Sequence, residues 1–370
     1  MKLIFFMKSM KKYGGLERVI AQRLNYFSKV YNYEIILVTT NQKNEKNIYK
    51  LDKRIKHIDL GINFSEKSTS FLDYLFAIKK FIVYLKKIGE LIDKEKPNYL
   101  VSLGAEDKIL LPFFRKKVPI IREIHLAKKN YKSVMNMNFV KVYKYIFYII
   151  GNFLIKKYNK IVVLTNEDKK MRKLDNAVVI PNPLPFKVKK LSNLNAKRVI
   201  SVGRLEEQKG YRTLIEVWKK IVNKYPDWEL VIYGSGSQKE ELLKKIKDFK
   251  LSKNCKIEDP VSNIEEEYLK SSIYVMSSKY EGFGMVLLEA MACGLPVVSF
   301  DCPSGPGEII ENNVNGFLCK NQNIEDMVEK LEKLIEDFKL KEKIALQAKK
   351  SSEKYKEEKI FLKWKLLYEN

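Results

Sequence analysis

Apolar residues in the first half of the chain fall in short runs, and between the runs they recur at helical spacing. The runs predict strands over Lys2–Met7, Glu34–Thr40, Arg54–Leu60, Tyr99–Leu103, Pro119–His125, Lys160–Thr165 and Ala177–Pro181. Helices are predicted over Leu16–Tyr31, Phe71–Lys94, Asp107–Phe114 and Met137–Lys157. Such alternation implies βαβ units and a parallel sheet. Pro181-Asn182-Pro183-Leu184-Pro185 then halts regular structure, and the polar stretch to Lys197 reads as a linker. A second alternation begins at Arg198–Gly203. Its further strands are Glu229–Gly234, Cys255–Glu258, Ile273–Ser278, Pro296–Phe300 and Gly316–Cys319, and its helices Tyr211–Tyr225, Gln238–Phe249, Ile264–Lys270, Met285–Met291 and Ile324–Phe338. The tail from Leu340 to Tyr368 reads as charged helix.

A length of 370 residues suits two domains better than one core. The expected division is 1–186, 187–350, and a C-terminal helix over 351–370 that packs back on the first domain. No apolar run approaches the roughly 20 residues that cross a bilayer. Met1–Met7, with Lys8, Lys11 and Lys12 after it, reads as a first strand and not as a signal peptide. Cys255, Cys293, Cys302 and Cys319 lack metal-ligand spacing and read as reduced thiols of a cytoplasmic protein. The net charge of +25 changes the picture because it is uneven. Residues 1–186 hold 37 Lys and Arg against 16 Asp and Glu, whereas the rest holds 33 against 29. A basic half suits lipid headgroups, a pyrophosphate-linked acceptor or nucleic acid; a general lysine bias is the other reading.

The candidate chemistry centres on Glu281-Gly282-Phe283-Gly284-Met285-Val286-Leu287-Leu288-Glu289. Apolar runs on either side make this strand, Gly-rich turn, helix, strand. A helix N-terminus then lies at the carboxyl end of a parallel strand, where phosphates bind. Glu281 falls on the turn and Glu289 about two turns into the helix. Carboxylates so placed accept hydrogen bonds from sugar or ribose hydroxyls. A solvated turn and an exposed helix face would show the same spacing.

Other elements stand in order around it. Gly14-Gly15-Leu16-Glu17-Arg18 follows the first strand and opens a helix. After the linker come Val202-Gly203-Arg204-Leu205 and Gln208-Lys209-Gly210, then Tyr233-Gly234-Ser235-Gly236. Ser278-x-x-Glu281-Gly282-Phe283-Gly284 leads into Ala290-x-Ala292-x-Gly294-x-Pro296-Val297, then Asp301-Cys302-Pro303-Ser304-Gly305-Pro306-x-Glu308-Ile309-Ile310 and Gly316-Phe317-Leu318. Taken together these resemble the retaining glycosyltransferases of the GT-B fold, family 4, over nearly the whole chain and most strongly over 198–320. Taken singly, each also reads as a plain turn or strand end.

The resemblance implies an α/β fold with two Rossmann-like domains facing a central crevice, the N-terminal one for the acceptor and the C-terminal one for the nucleotide-sugar. It implies that Arg204 and Lys209 clamp the donor diphosphate, as a guanidinium fork and a point charge suit two phosphates. Gly14, Gly15, Gly234, Phe283, Gly284, Met285 and Glu289 would complete the substrate-binding set. His125 and Glu281 would be the catalytic pair facing the donor sugar. A buried structural histidine is the other reading of His125, while His57, in a basic strand, reads as a surface residue. Ile257-Glu258-Asp259-Pro260-Val261 stands where the family usually has a glycine near the base. No Asp-x-Asp occurs, which fits a metal-independent enzyme.

No cofactor is implied beyond the donor, a UDP-sugar carrying a hexose or N-acetylhexosamine. The implied acceptor is a growing bacterial surface glycan or polyprenyl-linked oligosaccharide. Lys128–Lys160 interleaves cations with Tyr131, Phe139, Tyr143, Tyr145, Phe147, Tyr148 and Phe153, and Phe71–Lys87 has similar character. One face of such a segment suits an anionic membrane surface, and an ordinary core helix with snorkelling lysines suits it too. The expected location is the inner face of the cytoplasmic membrane. No nucleic-acid module is present, so nucleic acid is not an expected partner. A small soluble acceptor, or a noncatalytic membrane- or polyanion-binding protein on a degenerate scaffold, are the alternatives.

Overall fold

The computed structural model describes residues 1–11, 14–43, 45–64, 71–104, 107–125, 149–188 and 190–369, with the backbone alone for 71–78. It resolves into two compact units. The first takes Met1–Leu164 and Asp168–Ile180 and the chain from Phe361 on; the second takes Thr165–Glu167 and Pro181–Ile360.

The first unit is built on seven parallel strands: β1 (Lys2–Met7), β2 (Glu34–Thr39), β3 (Lys56–Asp59), β4 (Tyr99–Ser102), β5 (Ile120–Ile124), β6 (Lys160–Val163) and β7 (Ala177–Val179). Their order is β3-β2-β1-β4-β5-β6-β7. β1 pairs with β2 from Lys2 opposite Glu34 to Met7 opposite Thr39, and with β4 from Leu3 opposite Tyr99. Leu3 to Met7 are all buried, as expected of a parallel strand covered on both faces. On one face Ile4, Phe6, Ile36, Val38 and Leu100 pack with Tyr84, Ile88 and Ile92 of the Phe71–Glu95 helix. In the same unit the C-terminal helix Glu357–Glu369 sets Phe361 against Phe27 and Tyr26 of the Gly15–Val30 helix, at ring separations of 5.7 and 4.8 Å.

The second unit holds β8 (Arg198–Val202), β9 (Glu229–Tyr233), β10 (Cys255–Glu258), β11 (Ile273–Met276), β12 (Val297–Phe300) and β13 (Phe317–Cys319). They are ordered β10-β9-β8-β11-β12-β13, again all parallel. Its core gathers Trp218, Leu214 and Ile221 of the Tyr211–Lys224 helix with Leu331 and Leu334 of Ile324–Glu336 over the sheet. Trp218 satisfies its indole N–H on the Asn254 carbonyl at 2.8 Å. The α/β architecture of two Rossmann-like parallel sheets is therefore the one that the strand and helix patterning predicts.

Three local expectations are corrected. His57 is half-buried, not on the surface: its ring nitrogens lie 3.0 Å from Thr39 Oγ1 and 3.3 Å from Asn47 Nδ2, and burial lowers its pKa. Asn166–Arg172 forms a helix that the patterning missed, since NEDKKMR offers almost no apolar periodicity. The charged tail is two helices, Phe338–Ser352 and Glu357–Glu369, separated by a 3-10 turn and by Lys356 in a non-helical conformation. Of the predicted helix Met137–Lys157, residues 149–154 are α-helical and Ile155–Lys157 a 3-10 turn, and the rest lies outside the described residues.

Candidate functional site

In an open parallel sheet, ligands gather at the carboxyl ends of the strands where the strand order reverses. In the second unit that point lies between β8 and β11. The chain leaves β8 at Val202 and runs into Gly203, Arg204 and, through a 3-10 turn, Lys209. It leaves β11 at Met276 and runs into Ser277, Ser278 and Glu281. The neighbouring strand β9 ends beside Gly234, where a Cβ would stand 1.9 Å from the Gly203 carbonyl oxygen. Only a glycine lets those two strand ends meet so closely.

Lys209 Nζ lies 2.6 Å from Glu281 Oε1, and Ser278 Oγ donates to that same oxygen at 2.6 Å. Glu281 is 6% exposed, so the solvated-turn reading of this residue does not hold. Its backbone N–H donates to the Pro303 carbonyl at 3.2 Å, and Ser277 Oγ donates to the Lys209 carbonyl at 2.9 Å. The two loops are thus tied through both side chain and main chain. Arg204 is exposed, with Nη2 3.4 Å from Gln208 Oε1. Gln208 in turn donates to the Tyr280 carbonyl at 2.9 Å, which keeps the arginine's loop against the Glu281 loop.

Beyond Glu281 the chain passes through buried Phe283, whose ring packs edge-on to Tyr355 at 5.8 Å. Gly284 then begins the helix Met285–Ala292 from φ 92°, ψ 49°. That conformation is open to glycine and strained for a residue with a side chain. No side chain caps this helix end, so its first-turn N–H groups face the turn, with half-buried Met285 at the first helical position. Glu289 falls about one turn into the helix, not two, because it lies only four residues beyond Met285 and a turn takes about 3.6. It is 2% exposed and accepts from the Tyr268 hydroxyl at 3.1 Å. Burial, followed by the Glu289 charge, holds the Tyr268 phenol well above its ordinary pKa, so it stays a donor to that carboxylate. The buried Tyr274 phenol of β11 is likewise kept neutral, chiefly by burial and further by the charges of both Glu281 and Glu289.

The remaining sequence-selected residues belong to the first unit. Gly14, in extended backbone, caps the Gly15–Val30 helix after β1, again with no side-chain cap. Its carbonyl accepts from the Tyr49 hydroxyl at 3.3 Å, and around Gly15 a Cβ would meet nothing within 4 Å. His125 follows β5, with Nε2 3.0 Å from Glu123 Oε2. The other oxygen of Glu123 takes Arg23 Nη2 at 2.6 Å. Burial alone would raise the Glu123 pKa; the Arg23 charge and the His125 hydrogen bond outweigh it and hold the carboxyl below its ordinary value. Sequence reasoning passed over Arg23, Glu123 and Tyr268. Arg23 and Glu123 sit in otherwise apolar helix and strand positions, where a buried charge signals a pairing.

Among the described residues no three His, Cys, Asp or Glu side chains are grouped as a metal would need. The four cysteines are free and buried, and burial pushes each thiol up to about 12. An exposed guanidinium, a half-buried ammonium and an uncapped helix end make a set suited to a diphosphate. Two buried carboxylates beside them suit hydroxyl donors.

Residues 185–351 match the family described as glycosyl transferases group 1. An uncharacterized glycosyltransferase of Haemophilus influenzae is 30% identical, over 98% of this chain and 99% of its own length. An amylovoran biosynthesis glycosyltransferase of Erwinia amylovora is 30% identical over 98% of both. In three dimensions the chain is similar to a mutant form of S. aureus TarM, solved with fondaparinux, α-GlcNAc-glycerol and UDP, at a TM-score of 0.81, 19% identity and full coverage of both chains.

Proposed function

The chain belongs to the group 1 glycosyl transferases, and we propose that within them it is a retaining, metal-independent family 4 enzyme of bacterial surface-glycan or lipid-linked oligosaccharide synthesis. It moves a hexose or N-acetylhexosamine from a UDP-sugar onto the growing glycan. The observation that carries this reading is the Lys209–Glu281–Ser278 cluster beside the uncapped helix that bears Glu289, all at the β8/β11 switch point. The UDP named in the TarM complex and the amylovoran biosynthesis named for the Erwinia relative support the choice of donor and product.

In this reading Arg204 and Lys209 hold the diphosphate, and the Met285–Ala292 helix adds its positive end. Negative charge grows on the leaving diphosphate as the glycosidic bond breaks, so these groups act most strongly in the transition state. Glu289 accepts from the ribose hydroxyls, and Glu281 and His125 face the sugar. Lys209 is paired with Glu281, so an incoming phosphate has to share that ammonium. The domain over 1–186 takes the acceptor, and that over 187–350 takes the donor through Gly234, Phe283, Gly284 and Met285 as well. The excess charge of residues 1–186 suits peripheral binding at the cytoplasmic face of an anionic membrane. Exposed Phe153, Ile149 and Ile82 add apolar area; of the cation–aromatic segment 128–160, residues 128–148 lie outside the described residues.

The test is release of UDP from a panel of UDP-glucose, UDP-galactose, UDP-N-acetylglucosamine and UDP-N-acetylgalactosamine, in EDTA, with extracted polyprenyl-linked or polysaccharide acceptors. Retained anomeric configuration by NMR is the expected result. An inverted product, or turnover abolished by EDTA, overturns the mechanism. Salt-insensitive indifference to anionic vesicles overturns the membrane assignment in favour of a soluble acceptor.

A further inference from the structure

We propose that Glu123 is a positioning residue that fixes the proton of His125 on Nε2, and that Arg23 and Trp364 of the C-terminal helix hold Glu123 in place. The inference rests on the reading of His125 as a group that faces the donor sugar. All four residues lie in the first unit.

Glu123 sits within β5, 2% exposed, and among the described residues its oxygens meet the Arg23 guanidinium, 2.6 Å from Oε1, and the His125 ring, 3.0 Å from Oε2. Arg23, on the Gly15–Val30 helix, is 1% exposed. A guanidinium so buried is stable only when paired. Besides Glu123, it has the Trp364 ring 4.0 Å from Cζ and the Phe5 ring 5.4 Å away. Two aromatic faces and a carboxylate thus surround one cation. The buried Arg23 keeps Glu123 ionised, and an ionised carboxylate only accepts hydrogen bonds. The ring nitrogen facing it must therefore donate. In the neutral imidazole this leaves Nδ1 without a proton, as an acceptor. His125 then serves the sugar through Nδ1, taking a hydrogen bond from a hydroxyl. A tautomer set by the partner of the other nitrogen is a device that hydrogen bonding alone can enforce.

Glu123→Gln inverts this. The amide oxygen stays with the Arg23 guanidinium, because a cation does not accept from NH2. The amide N–H then faces His125, so Nε2 must accept and the proton moves to Nδ1. The chain has only two histidines, so the His125 signals in a long-range 1H–15N spectrum are those missing from His125→Asn. In the full-length protein the wild type is expected to show the Nε2–H tautomer and Glu123→Gln the Nδ1–H form. With the same UDP-sugar panel, Glu123→Gln should lose about tenfold or more in turnover, with donor KM moved much less, since a wrong tautomer harms the reaction more than binding. Glu123→Asp keeps the charge beside Arg23 and guards against a folding failure; it should keep the Nε2–H form and more of the turnover than Gln. Trp364→Leu should weaken the Nε2–H preference in the same direction as Gln, only less.

An Nδ1–H wild type, or a tautomer unmoved in Glu123→Gln, overturns the proposal, whichever sugar is turned over. Turnover unchanged in Glu123→Gln while His125→Ala is inactive overturns the positioning role and leaves the donor-facing reading of His125 standing. Wild-type turnover in His125→Ala overturns both.

Discussion

At the scale of single residues, the exposed and the buried members of the site should respond differently to truncation. Arg204 is exposed, so Arg204→Ala should leave the melting temperature unchanged. It should nonetheless remove about 2–4 kcal/mol of transition-state stabilisation, seen as a fall in kcat/KM for the turned-over UDP-sugar. Normal kinetics in that variant would remove Arg204 from the diphosphate clamp. Glu289→Ala should raise the donor KM, and it has a second cost. The fully buried Tyr268 hydroxyl loses its acceptor, and an orphaned buried hydroxyl destabilises by about 1–3 kcal/mol. Glu289→Ala combined with Tyr268→Phe should recover stability but not KM. A double variant no more stable than Glu289→Ala would show that the pair does not act through this bond. The sequence made Glu281 and Glu289 visible because Gly-Phe-Gly lies between them, but not that both would be buried. Burial depends on partners distant in sequence, Lys209 and Ser278 for one and Tyr268 for the other. His57 went astray for the same reason, since its neighbours Lys56 and Arg54 hide the contact that its ring makes with Thr39.

At the scale of elements, patterning was a good guide wherever a strand is apolar throughout and a poor one where a helix is short and polar. β1, β8 and β11 announce themselves, as each has its interior positions buried. Asn166–Arg172 does not, and neither does the break near Lys356 within a tail that is rich in helix-forming residues throughout. An ion-pair network that joins elements of the second unit gives a pH-dependent prediction. Glu267, on the Ile264–Leu269 helix, takes Arg198 of β8 at 3.0 Å, Lys270 at 2.7 Å and the Tyr233 hydroxyl of β9 at 2.5 Å. Burial works to raise its pKa; the hydrogen bonds from Lys270, Tyr233 and Arg198 outweigh it and bring it from 4.5 to about 2. The folded pKa is depressed, so the stabilisation is complete above the unfolded value of 4.5 and is lost as pH falls toward about 2. Urea midpoints should therefore drop between about pH 5 and about pH 3, and Glu267→Gln should flatten that drop. An equally steep drop in the variant would assign the acid sensitivity to other carboxylates.

At the scale of the whole molecule, reporters are divided unevenly between the two units. Cys255, Cys293, Cys302 and Cys319 all belong to the second unit, with Trp218 and Trp228, whereas Trp364 belongs to the first. Each thiol is buried and held near 12, so the native protein should react with no more than a trace of a thiol reagent at neutral pH. Rising urea should expose all four together if the second unit opens cooperatively. Labelling of one cysteine well ahead of the rest would show that unit to open in parts. The charge is divided as unevenly as the reporters, and it too was readable from composition alone. What composition could not give is how the chain passes between units: it enters the second at Thr165, returns at Asp168, leaves again at Pro181 and comes back at Phe361.

That last return has a consequence for how the protein is made. Phe361 and Trp364 cover Phe27 and Arg23, yet they are synthesised only after all of Pro181–Ile360. At ordinary elongation rates the ribosome needs roughly 10–40 s for that stretch. Throughout this interval the first unit has its seven strands but lacks the aromatic side chains that close one face. The second unit has everything it needs to fold before the first is complete. The nascent first unit therefore waits with Phe27 open and the Arg23–Glu123 pair under-covered, a natural client for a chaperone. A ribosome stalled before Phe361 would release a chain whose second unit is complete and whose first unit is not.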